Sequence, residues 1–147
     1  MFHFRLAKVM KHRRRIVENE ARRLQELALA LNQLLASRHA FAADVEEAAL
    51  AAHRSRRDTV DLGFERAAAA FVEGRRKQIE LLDVQAGEQR IVVERQRRVL
   101  VTAQHEVSVL ERLEERQRAD WEQTMRRREQ KQLDEVAARR HDTRWSA

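Results

Sequence analysis

The chain has 147 residues, 30 of them basic and 24 acidic, for a net charge of +6, and it contains no Pro, no Cys, no Tyr and three Gly. The lack of Cys excludes disulfides, thiolate chemistry and Cys-based zinc sites. With 37% charged and 5% aromatic residues, few turn formers and an abundance of Ala, Leu, Glu, Gln and Arg, the composition argues against a compact globular core and for long helices.

A first helix is predicted from about Phe4 to Arg54. Met10, Val17, Leu24 and Leu31 fall seven apart, with Leu27, Leu34 and Phe41 three residues behind them and Val45 continuing the series. This is an a/d heptad pattern, which places both sets on one face of a helix. Arg13 and Glu20 occupy companion positions near the start, so the seam is expected to be weak there and tight from Leu24 onward. The segment from Arg5 to Arg23 holds eight basic and two acidic residues, a net of +6.

The pattern dissolves after Ala48–Ala52. Residues 53–59 contain no large apolar side chain, and Ser55, Asp58 and Thr59 can each cap a helix by accepting from free backbone N–H groups. Gly63 follows, so a reversal is predicted within 55–63.

A second helix is predicted from about Val60 to Arg140. Val72, Ile79, Ala86, Val93, Leu100 and Val107 fall seven apart, with Leu82, Ala103 and Leu110 as companions. Gly74 and Gly87 lie inside it, as soft spots or points of close packing. After Leu110 the spacing drifts through Leu113, Gln117, Trp121 and Met125, the mark of a locally rewound seam. Leu133 and Val136 continue an apolar edge, and His141–Ala147 is expected to fray. From Thr124 onward there are seven basic and four acidic residues, whereas Leu24–Gln123 carries fifteen basic and eighteen acidic.

The predicted fold is all-α, a long antiparallel two-helix coiled-coil hairpin in a single domain, with helices of about 75 and 120 Å at ~1.5 Å per residue. The second helix overhangs the base. A single unbroken helix that dimerises is the competing architecture. No stretch approaches the ~20 apolar residues of a membrane span, and Met1–Met10 lacks a secretory apolar run, so an intracellular protein is expected.

Chemistry is sparse. No two of the six histidines are spaced i, i+3 or i, i+4, and no Glu-x-x-His occurs, so neither a helical metal site nor a di-iron site is predicted. There is no Gly-rich phosphate loop and no Gly-x-Ser-x-Gly, and two thin helices offer no pocket. No enzyme activity and no cofactor are expected. The Arg clusters at 11–15, 22–23, 75–77 and 126–128 interleave with Glu at helical spacing, as solvated helix faces do. Nucleic-acid binding is therefore not the expected role.

Two terminal motifs carry a resemblance. The opening Phe2-His3-Phe4-Arg5-Leu6-Ala7-Lys8-Val9-Met10, followed by Arg13–Arg15, Glu18 and Glu20, resembles the start of the flagellar export family FliJ. Residues 128–137, with Gln130-Lys131-Gln132-Leu133-Asp134-Glu135, resemble the same family's ending. The resemblance implies an antiparallel stalk similar to the shaft of rotary ATPases. Its paired termini enter the pore of a hexameric export ATPase (FliI), and a part nearer the tip reaches the export gate protein (FlhA). It also implies handling of export chaperones and a cytoplasmic location, peripheral at the inner-membrane export apparatus.

The residues this carries over for the ATPase are Leu6, Val9, Met10, Arg13, Arg14, Arg15, Gln130, Lys131, Leu133, Asp134 and Glu135. For the gate, helical geometry groups Phe71, Arg75, Gln78 and Leu82 on one face, with Phe71 flanking the seam. A basic base formed by two converging termini suits an acidic ring lumen. The related injectisome stalk proteins, and a coiled-coil scaffold with no ATPase partner, are the alternatives.

Overall fold

A computed structural model describes residues 1–59 and 61–145, with side chains described as far as His141. Two helices account for nearly all of them: α1, Ala7–Asp58, and α2, Leu62–Trp145. No strand occurs among the described residues. The protein is all-α, and its two long helices pack against each other. By internal contacts the chain forms two units, one of residues 1–17 with 102–147 and one of residues 18–101.

α1 begins after Phe4 and continues through Ser55 to Asp58, beyond the Arg54 suggested by the heptads. Its last turn closes with Thr59 N–H donating to the Ser55 carbonyl at 3.1 Å. The N-cap of α2 is Asp61, whose Oδ1 accepts from Gly63 N at 2.9 Å and Phe64 N at 3.3 Å. The expected candidates Ser55, Asp58 and Thr59 instead lie at the C-terminal end of α1. Val60, within the interval predicted for the reversal, lies outside the described residues, as do Ser146 and Ala147 at the expected frayed end. α2 remains helical to Trp145.

In the unit of residues 18–101 the helices run antiparallel. The cross-helix partners fall in α1 as they rise in α2: Arg56 with Glu65, Asp44 with Arg75, Arg38 with Asp83, Leu27 with Gln89, Glu20 with Gln96. The heptad positions Leu24, Leu27, Leu31, Leu34, Phe41 and Val45 are half-buried, as are Val72, Ile79 and Leu82, and Ala86 and Val93 are buried. The companion series of α2 is not apolar throughout. It runs Leu82, Gln89, Gln96, and both glutamines turn into the seam. Gln89 Nε2 donates to the Leu27 carbonyl at 3.0 Å. Gln96 Nε2 donates to the Glu20 carbonyl at 3.1 Å and also to the Glu20 carboxylate. Gln96 is 7% exposed.

The layer at Glu20 is therefore a hydrogen-bonded one rather than an apolar one. Ala86, Val93 and Gln96 reach a burial that the leucines of the stretch 24–34 do not. Polar seam layers of this kind fix register. Arg38, seven after Leu31, adds to it through a 2.5 Å contact with Asp83. The residues seven to either side of Asp83 are Arg76 and Arg90. A slip of one heptad would set Arg38 against one of them.

Candidate partner-binding surfaces

In the unit of residues 1–17 and 102–147 the chain start folds onto α2. Phe4, outside any helix, is 4% exposed, and its carbonyl accepts the Ala7 N–H at 3.2 Å. Phe2 meets Trp121 with ring centroids 6.2 Å apart, and the Arg118 guanidinium lies 5.5 Å from the centre of the Phe2 ring. Met10, Ala103 and Val107 are buried, and Leu110, Leu113, Trp121 and Met125 are half-buried. The aromatic hook satisfies two demands at once: it shelters apolar rings and supplies the first carbonyl of the helix.

Of the expected N-terminal residues, Met10 is inside this seam, whereas Leu6 and Val9 are on the surface, 36% and 44% exposed. The three arginines divide. Arg13 pairs with Glu106 at 2.7 Å and Arg14 with Glu111 at 2.9 Å. Arg15 is exposed and has no ion pair among the described residues. Two of the three charges counted toward a basic base are thus offset within the molecule.

The other end of this unit is different. From Arg126 to His141 every residue of α2 is exposed. Leu133 and Val136 face solvent at 65% and 49% exposure. Gln130 Nε2 donates to Asp134 Oδ1 at 3.0 Å, one turn on. Gln130, Lys131, Leu133, Asp134 and Glu135 are all available to a partner. Arg126–His141 carries six Lys or Arg and three Asp or Glu, so its field is positive.

The expected tip face divides as well. Three of its residues form one connected cluster in the unit of residues 18–101. Arg75 stacks its guanidinium 4.3 Å from the Phe41 ring centre on α1 and 5.2 Å from that of Phe71 on α2. Its Nη1 donates to Gln78 Oε1 at 2.8 Å. Its Nε lies 3.1 Å from Asp44 Oδ2, close enough for an ion pair but without hydrogen-bond alignment, so that buried N–H has no acceptor. Phe71 remains 44% exposed and, with Asp44, Glu47, Ala48 and Ala51, lines a shallow open cleft. Leu82 does not join: it is half-buried at its seam position. Phe41 and Asp44, which sequence spacing cannot connect to Phe71, complete the cluster across the helix pair.

Among the described residues no group of three His, Cys, Asp or Glu could hold a metal ion, and no helix is long and apolar enough to cross a membrane. A family profile described as Flagellar FliJ protein matches residues 2–145. The chain belongs to the FliJ family. No curated protein and no solved structure matches the chain significantly. Membership places this FliJ-family chain in flagellum biogenesis and protein export, as a structural component of the export apparatus. The match runs through the hook, both helices and the exposed end of α2, so it covers each surface described above.

Proposed function

We propose that this FliJ-family chain is the stalk of a flagellar export ATPase, and that it seats through the exposed end of α2 together with the surface beside the aromatic hook. The observation that carries this reading is the stretch Arg126–His141, helical and exposed at every residue. An isolated helix of that length is marginal in water; one that displays Leu133 and Val136 in a positive field suits a ring lumen that supplies apolar contact and acidic loops. Arg15, Leu6 and Val9 extend the contact on the hook side, and Lys131 and Arg128 steer it. Gln130, Asp134 and Glu135 supply directional hydrogen bonds. In the same reading Phe71, held outward by Arg75, is the gate-protein contact, with Gln78 beside it, and Leu82 acts only through the seam. Export chaperones are further partners, and the protein acts peripherally at the inner membrane through these contacts.

The test is ATP hydrolysis by the purified hexameric export ATPase, titrated with the full chain. Reversing Arg13 or Arg14 would place a new carboxylate against Glu106 or Glu111 and so mix a changed cross-helix contact with any effect on binding. The informative variant is therefore Arg15→Glu with Arg128→Glu and Lys131→Glu, all exposed. Three reversals lower the net charge by 6, from +6 to zero. The half-stimulating concentration should rise about ten-fold at low salt and less at high salt, because exposed charges act mainly by screened steering. Undiminished stimulation by a folded triple variant, or none by the unaltered chain, overturns the assignment. Phe71→Ala should leave stimulation intact and abolish capture of the gate protein.

A further inference from the structure

α2 carries a second apolar stripe on the side away from α1. Within the unit of residues 18–101, Leu81, Val84, Ile91, Val92 and Val99 are between 39% and 59% exposed. Helical geometry puts Leu81, Glu88 and Arg95 on one line along the helix, at a spacing of seven. Val84 and Ile91 flank that line on one side, and Val92 and Val99 flank it on the other. The stripe spans about 27 Å at 1.5 Å per residue. A run of exposed branched side chains on one face marks an interaction surface rather than a solvated one.

The charges inside the stripe say what fits it. Glu88 and Arg95 are both exposed. Among the described residues, neither forms an ion pair, although neighbouring Glu94 pairs with both Arg97 and Arg98. Glu88 and Arg95 are opposite in sign and lie at equal distances from the midpoint between Ile91 and Val92. A two-fold axis through that midpoint lays a second α2 antiparallel on the first. Glu88 then meets Arg95 of the other copy, twice. Ile91 meets Ile91 and Val92 meets Val92 at the centre. The Leu81–Val84 end of one stripe lies against the Val99 end of the other. A parallel pairing would instead oppose Glu88 with Glu88 and Arg95 with Arg95.

We infer that this stripe is a self-association surface, on which a second copy of the chain docks antiparallel about a two-fold axis between Ile91 and Val92. The interface is isologous, as two-fold dimers are. Five apolar side chains from each copy and two ion pairs in all place it at the small end of specific interfaces. The dimer is therefore a reversible one, forming at micromolar concentrations and above.

Sedimentation equilibrium of the full chain, from about 5 to 500 µM, tests this over the range of a weak interface. The mass should rise toward twice the 17.4 kDa of the chain. Ile91→Glu, at an exposed position, should keep the helical circular dichroism and remain monomeric throughout. Glu88→Arg alone and Arg95→Glu alone should each weaken association about ten-fold, since each sets two like-charged contacts across the axis. The double swap, Glu88→Arg with Arg95→Glu, should restore it to within about three-fold, because both pairs re-form with their signs exchanged. A chain monomeric at every concentration overturns the inference, and so does a dimer unaffected by Ile91→Glu. A double swap weaker than either single reversal also overturns it, since the charges would then not meet across the axis. A stripe that binds another protein while the chain stays monomeric falls under the first of these outcomes.

Discussion

Between Thr102 and Met125, α2 buries Ala103 and Val107 and shelters Leu110, Leu113 and Trp121; between Arg126 and His141 it buries nothing. Both stretches are rich in Arg and Glu, and both are helical. The first has the start of α1 and the Phe2–Phe4 hook beside it. The second has no buried residue; it draws on intrinsic propensity and on i, i+4 pairs such as Gln130 with Asp134, each worth a few tenths of a kcal/mol. The comparison separates what makes a helix from what makes it stay. Heptad spacing and helix-forming residues specify the shape in both stretches, but only burial against a second element supplies stability of several kcal/mol.

Amide hydrogen exchange should show the largest contrast. Amides in 104–113 are expected to be protected at least about a thousandfold more than those in 130–138, since the former open with the fold and the latter by local fraying. Equal protection would mean that the exposed end gains support not visible in the chain itself. Next comes a pair of truncations. Phe4→Ala should cost about 3 kcal/mol in chemical denaturation, the usual loss for a buried ring, whereas Leu133→Ala should stay within about 0.5 kcal/mol. Comparable losses would move the boundary of the supported region past Met125.

A polar pair sharpens the same contrast. Gln96→Ala should lower stability by about 1–2 kcal/mol, because it deletes side-chain bonds to Glu20 in a buried layer. Gln130→Ala, also a hydrogen-bonded glutamine, should change it by less than about 0.5 kcal/mol. The smallest effect has the opposite sign. Gly74 and Gly87 have helical neighbours, and a Cβ at either would meet nothing within 4 Å. Gly74→Ala and Gly87→Ala should each stabilise the protein by about 0.5–1 kcal/mol, the helix preference for Ala over Gly, read as a rise in the denaturation midpoint. A loss at either would reveal a packing partner for that face, and for Gly87 the apolar stripe around Ile91 is the nearest such face in sequence.

The sequence made the seam readable because Leu24, Leu31, Val93 and their kin repeat with a period set by backbone geometry alone. Gln89 and Gln96 escaped the same reading. They occupy companion positions, but an amide there is compatible with a flaw in the seam or with a hydrogen bond to the opposite backbone, and only the paired helix distinguishes these. Asp61 escaped because capping ability is shared by Ser55, Asp58 and Thr59, and the choice depends on where the chain resumes helical angles. The hook was visible as a motif at Phe2 and Phe4 but not as a contact, since Trp121 lies far along the sequence. Among the surface residues, the exposure of Phe71 agreed with its place flanking the seam, whereas that of Leu133 did not follow from the apolar edge it continues. The internal pairing of Arg13 and Arg14 did not follow from any local signal, because Glu106 and Glu111 reach them only once the helices are aligned.

The exposed end of α2 also bears on how long the molecule survives. Arg126, Arg127, Arg128, Lys131, Arg139 and Arg140 offer cleavage points to proteases that cut after basic residues, in a segment that needs only to unwind itself to enter an active site. When opening and closing are fast, cleavage follows the open population. On the proposed seating, a copy without its partner would be shortened from this end, and a seated copy would be shielded along the same residues. Turnover would then remove unassembled chains first and keep their number matched to the assemblies that hold them.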